Sequence, residues 1–326
     1  MIKIYTDLSQ LTPQIIEEII SSNEKIIFEF SRIQDENLCQ SFDEKVLSKK
    51  SVEVHLRGDY KTYWTSIKFL ENFTHLKILQ ISNAQLESLN SLTALSRLES
   101  LSLHSNYTKP TPLEPIAHFK KLNSLAISGN LTDYGVIARL SNLHSFGVRA
   151  YSTDFDIGHI LPIISQLKSL DIGGEEVVNM QLLSEAKKVK HLVLNGIENT
   201  GEKMEFISHL SSLVILELDY LPQLRFLPTF ADCKKLGRIV LEGLDGLENL
   251  ENLKGATSLV DFCLLEYETN QFSLDDFKIL TQLPQLKIAH VDFVDNVEMR
   301  DKFDEIMEKH GLIVIDSMSD EFKNIF

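Results

Sequence analysis

The chain has 326 residues, 43% hydrophobic and 24% charged, a balance that excludes a disordered chain and suits one or two large folded domains. Asp and Glu outnumber Lys and Arg by 47 to 32, so the formal charge of −15 opposes nucleic acid and anionic membrane and favours a cationic partner. No window approaches eighteen consecutive apolar residues, and the start MIKIYTDLSQLTPQ lacks a signal-peptide pattern, which together read as cytoplasmic.

The first 75 residues hold three strand patterns, Ile2-x-Ile4, Phe28-x-Phe30 and Val54-x-Leu56, joined by connections long enough for helices. Thr12 before Pro13 predicts an N-cap, and Leu38, Phe42 and Val46 form the apolar stripe of a second helix. From residue 76 the pattern L-x-x-L-x-L recurs ten times, beginning at Leu76, Leu98, Leu122, Leu143, Leu167, Val189, Leu213, Leu236, Leu259 and Leu286. The L-x-L end alternates as a strand does. The leucines before it are spaced by three, as in Leu86, Leu89, Leu92, Leu95 and Leu98, which suits a 3₁₀ or short α turn. Neither half buries its apolar face alone, so stacked neighbours must complete one core.

Toward the C-terminus, Ser273 with Asp276 predicts a capping box before Phe277, and Asp295 with Glu298 predicts another before Phe303 and Ile306. Gly311 stops that helix, and Ile313-x-Ile315 adds a last strand, giving fourteen. The expected organisation is one domain over 1–326: longer α/β repeats and a cap over 1–75, ten repeats over 76–291, and a helix–strand cap over 292–326.

These repeats resemble the leucine-rich-repeat family, and the run of leucines at every third residue is similar to the short-repeat class of bacterial internalins and phosphatase-regulating proteins. The resemblance implies an α/β solenoid, a parallel sheet lining its concave face and 3₁₀ or α segments on its convex face. The family's asparagine, three residues past the second strand leucine, is present at Asn106 and Asn130. It is replaced by Tyr151, Glu175, Ile197, Leu221, Leu244, Tyr267 and Val294, so no regular asparagine ladder is expected.

Strand alternation assigns the outward positions. The expected partner surface on the concave face is Ser100, Ser102, His104, Ser124, Ser145, Arg149, Ser169, Asp171, His191, Glu217, Asp219, Arg238, Glu242, Asp261 and Asp292. Its serines permit close approach, and its later carboxylates favour a basic patch. An open sheet face must also be polar whether or not it binds, and that reading stands beside the first. Tyr107, Phe155, Tyr220 and Phe293 follow strands near long connections and are expected at a loop edge as aromatic anchors. Tyr151 and Tyr267, at the missing asparagine position, read instead as core plugs.

Motifs for phosphate loops, dinucleotide sites, zinc proteases and serine hydrolases are missing from the sequence. Cys39, Cys233 and Cys263 form no CxxC pair, and Cys233, where neighbouring repeats carry Leu or Phe, reads as a small buried hydrophobe. Asp133, Asp154 and Asp156 read as solvated acid rather than a calcium loop. The expectation is a non-catalytic, monomeric protein-binding module without cofactor or metal. Its partner is a protein with a basic surface, neither nucleic acid nor membrane, and inhibitor, immunity-type and adaptor roles all fit. The alternative is an enzyme or regulatory subunit with a site in the long loops or caps.

Overall fold

The computed structural model describes residues 2–58, 63–86, 88–104, 109–150, 154–267, 272–293 and 296–314, without the side chains of 266 and 267. They form two compact units, Met1–Thr153 and Asp154–Phe326. In the first unit seven strands pair in parallel and in chain order: β1 (Ile2–Tyr5), β2 (Lys25–Phe30), β3 (Glu53–Arg57), β4 (Ile78–Ser82), β5 (Ser100–His104), β6 (Ser124–Ser128) and β7 (Ser145–Ala150). In the second, six do the same: β8 (Ser169–Gly174), β9 (His191–Asn195), β10 (Ile215–Asp219), β11 (Arg238–Glu242), β12 (Asp261–Tyr267) and β13 (Ile288–Phe293). Ile313 bridges in parallel to Ile288 where the fourteenth strand was expected, and Ile315 lies outside the described residues.

The three-residue leucine spacing becomes a run of i→i−3 hydrogen bonds. The N–H of Leu92 donates to Leu89 at 2.9 Å, that of Leu95 to Leu92 at 2.9 Å, and that of Leu98 to Leu95 at 3.1 Å. With three residues per turn these side chains eclipse, and all four are at most 1% exposed. In β5 the pattern then changes period. Leu101 and Leu103 point into the core at 1% and 0% exposure, while Ser100, Ser102 and His104 face out.

Both ends are closed by helices and aromatic rings. Thr12 caps α1 (Pro13–Ser21), its hydroxyl accepting the N–H of Ile15 at 3.3 Å. The next helix, α2 (Glu36–Phe42), continues into a wider turn over Asp43–Leu47 and buries Phe42 and Val46, with Phe42 4.5 Å from Phe28 between ring centres. Early in the second unit a 3₁₀ turn over Ile157–Ile160 runs into a single four-residue turn, α3 (Leu161–Ile164). At the far end α4 (Val297–Lys309) sets Phe303 against Phe277 and Phe293 at 5.3 and 5.4 Å.

Two local expectations are corrected. The register of β1 on β2 pairs Tyr5 with Phe28 and stacks their rings at 5.1 Å, so Lys3 and Tyr5 take the core side. Ile2 and Ile4, expected in the core, are 57% and 59% exposed. The cap of α4 is Asn296, whose Oδ1 accepts the N–H of Met299 at 3.0 Å, where Asp295 was expected; Asp295 is outside the described residues. Ser273 does bond Asp276, giving its N–H and hydroxyl to Oδ2 at 2.7 and 2.8 Å, and Gly311 ends α4 with φ of 78°.

Candidate functional site

In the first unit the outward residues of β5 to β7 form a shallow floor. Ser100, Ser124 and Ser145 share one row, and Ser102, Ala126 and Gly147 the next. His104 closes the third row with Ser128 and Arg149. Its ring bridges two hydroxyls, Nε2 to Ser102 Oγ at 2.7 Å and Nδ1 to Ser128 Oγ at 3.1 Å. All the expected residues here are half-buried, as an outward strand position between neighbours should be. Nearer the N-terminus the same face carries ion pairs of Lys25 with Glu53 at 2.8 Å and Arg57 with Glu29 at 3.4 Å, and His55 Nε2 lies 3.0 Å from Glu53 Oε2.

The second unit carries the charge. Ser169 and Asp171 on β8, His191 on β9, Glu217 and Asp219 on β10, Arg238 and Glu242 on β11, and Asp292 on β13 are half-buried. His191 Nε2 lies 2.9 Å from Glu217 Oε1, a contact that holds the Glu217 carboxyl below the usual carboxylate range. Asn195 donates to Asp219 Oδ2 at 3.3 Å, and Asp219 pairs in register with Glu242.

Asp261 departs from expectation. Its carboxylate is 3.5 Å from Arg238 Nη1 but the residue is only 2% exposed, and burial pushes its pKa up despite the guanidinium. It is not available at the surface as the sequence reading supposed. Beside it Cys263 is fully buried and in register with His290, itself 6% exposed.

The aromatic edge also divides. Tyr220 is 44% exposed, as expected. Phe155 is fully buried, because Phe155–Asp156 forms a short parallel pairing with Val177–Val178 that turns the ring inward. Phe293 is 5% exposed, because β13 extends to it and the alternation Ala289, Val291, Phe293 places it in the core against Phe277 and Phe303. Tyr107, with Asn106 and Tyr151, lies outside the described residues, as does the Tyr267 side chain.

Where the asparagine ladder is missing, other amides serve. Asn199 accepts the N–H of Val177 at 3.0 Å and donates to its carbonyl at 3.1 Å, imitating a strand neighbour. Asp156 is spent similarly, its Oδ1 accepting from Gly158 N–H at 2.7 Å and Asn179 Nδ2 at 2.9 Å. Two surface grooves of the second unit hold about 510 and 430 Å³, and neither is lined by a histidine or cysteine among the described residues. Among those residues no group of three or more His, Cys, Asp or Glu is placed to hold a metal ion, and no helix is long and apolar enough to cross a membrane.

No family model matches the sequence, and a search of curated proteins finds no match. Among solved structures, an internalin, InlF, from Listeria monocytogenes is similar at a TM-score of 0.58 and 16% identity, over 91% of this chain and 81% of that one. Internalin C2 from the same organism gives 0.45 and 17% over 62% of this chain and 83% of its own. TLR13, in a complex with ssRNA13, gives 0.46 and 13% over 89% of this chain and 54% of that one. The InlF likeness, with the parallel strands and 3₁₀ turns, establishes the α/β leucine-rich-repeat fold.

Proposed function

We propose that this leucine-rich-repeat protein is a non-catalytic recognition module whose second-unit outward sheet face grips a protein bearing a basic patch. One observation carries the reading: Asp219 on β10 and Glu242 on β11 are register neighbours, two carboxylates side by side on adjacent parallel strands about 4.8 Å apart. Like charges directly opposite one another destabilise a sheet, so the pair is more readily understood as serving a cationic group from outside. His191 lies 2.9 Å from Glu217 and Arg238 3.5 Å from Asp261, so hydrogen-bond donors and acidic groups alternate along the same face. The overall charge of −15 adds long-range attraction for the same class of partner.

The test compares proteins captured from lysate by the wild type and by a variant with Glu217→Lys, Asp219→Lys and Glu242→Lys. A specific, high-pI partner recovered by the wild type, weakened by added salt and lost in the reversal supports the reading. Unchanged recovery by the reversed variant overturns it.

A further inference from the structure

A left-handed backbone slot recurs two residues past the second core-facing strand residue. Positive φ there is found at Asn83 and Gly129 in the first unit and at Gly174, Gly196, Tyr220 and Gly243 in the second, with φ of 53°, 115°, 140°, 61°, 51° and 56°. At five of these positions the N–H donates to the carbonyl of the fifth strand residue of the following repeat: Asn83 to His104 at 3.0 Å, Gly129 to Arg149 at 3.4 Å, Gly196 to Asp219 at 2.9 Å, Tyr220 to Glu242 at 2.8 Å, and Gly243 to Leu265 at 3.3 Å. A positive φ is therefore shared by six positions, of which four are glycine, one asparagine and one tyrosine. Glycine and asparagine meet it readily, whereas a bulky aromatic residue is crowded there by its own Cβ.

Core packing does not explain the tyrosine. Its residue is 44% exposed, while core rings such as Phe230 are fully buried. The ring is nonetheless fixed. It lies over Gly243, where any Cβ would come within 2.6 Å of its Cδ1 and Cε1 atoms, and its hydroxyl donates to Glu242 Oε1 at 2.9 Å. An exposed aromatic group is thus held in one orientation, in a conformation that favours a different residue type, beside Asp219 and Glu242. Strain kept at an exposed position is a pointer to function rather than to packing.

We infer that Tyr220 is the anchor that receives an arginine side chain of the partner, its ring under the guanidinium plane and the Asp219 and Glu242 carboxylates taking guanidinium N–H groups. This rests on the basic-partner reading and sharpens it to one side-chain type. A guanidinium is planar and can stack and donate in its own plane at once, whereas an ammonium is a compact, strongly hydrated point charge.

The 326-residue chain is titrated by fluorescence anisotropy with labelled nona-arginine and nona-lysine, as wild type, Tyr220→Asn, Tyr220→Phe and Glu242→Lys. Tyr220→Asn leaves the net charge unchanged, so any loss is not due to the general acidic field. The expected result is preference for nona-arginine in the wild type, a loss of about two- to fivefold and of that preference in Tyr220→Asn, and most binding kept in Tyr220→Phe. The melting temperature of Tyr220→Asn should match or exceed that of the wild type, since Asn83 already suits the slot. A fall of more than about 5 °C makes the ring structural and overturns the inference. Unchanged binding in Tyr220→Asn with loss in Glu242→Lys overturns the anchor and leaves the acidic-face reading standing. Equal binding of both peptides by the wild type overturns the arginine assignment, and binding of neither overturns both readings.

Discussion

Asp43 and His75 are joined at two points: Asp43 Oδ1 accepts the His75 backbone N–H at 2.8 Å, and Oδ2 lies 2.8 Å from the ring Nδ1. Oδ2 also accepts the Thr74 hydroxyl at 2.8 Å, so one buried carboxylate from the turn after α2 ties down the approach to β4. Asp43→Ala strands a backbone donor and a hydroxyl together and should cost about 3 kcal/mol in urea unfolding. His75→Ala keeps the backbone contact and should cost about 1 kcal/mol. Equal losses would show that the ring contact, rather than the turn, is what Asp43 supports.

On β8, Leu170 is 1% exposed and its neighbour Ser169 faces out. Leu170→Asp removes core packing and buries a charge with no partner designed for it, for an expected loss of roughly 4 kcal/mol or more. Ser169→Asp should stay within about 1 kcal/mol. Chemical denaturation of the two variants tests the facing of the whole repeat, and similar losses would refute it.

All three thiols are buried, and burial pushes them up, Cys39 and Cys263 to about 12 and Cys233 to about 11. A thiol reagent at pH 8 should therefore label none of them on the minute scale in the folded protein and all three in denaturant. Rapid labelling of Cys263 would show that the outward face of β12 opens to solvent.

How far the sequence could be read depends on the range of the interaction involved. The leucines at 89, 92, 95 and 98 encode a turn through spacing alone, and the strand alternation correctly turns out Ser100, Glu217 and Asp219. Ile2 and Ile4 misled because β1 has only one strand partner, β2, and it is the register on β2 that selects the core face. Phe293 was within reach, since continuing the two-residue period from Ala289 and Val291 leads to it. Phe155 depended on a two-residue pairing with Val177–Val178, and Asp43 on a partner 32 residues away, neither of which leaves a local periodic mark. For Asp261 the direction was legible and the burial was not, because what surrounds an outward position is set by neighbouring repeats.

Glu217 and Asp261 should shape the acid stability of the second unit in opposite senses. The His191 hydrogen bond is the largest cause holding Glu217 below the usual carboxylate range; burial opposes it, and the weaker His191 and Arg238 charges add to the lowering. A carboxyl depressed in the fold contributes stability above its unfolded value, about 4.5, and loses it as pH falls through the folded value. Burial raises Asp261, so its contribution is present below the unfolded value of about 3.8 and is lost as pH rises through the folded one. The melting-temperature difference between wild type and Glu217→Gln should therefore shrink on acidification from pH 6 to 3, while that between wild type and Asp261→Asn should move in favour of the wild type. His191→Ala tests the cause, because it removes the main hydrogen bond and should raise the Glu217 carboxyl midpoint followed by ¹³C NMR. A midpoint that stays low without the imidazole would assign the depression to Arg238 instead.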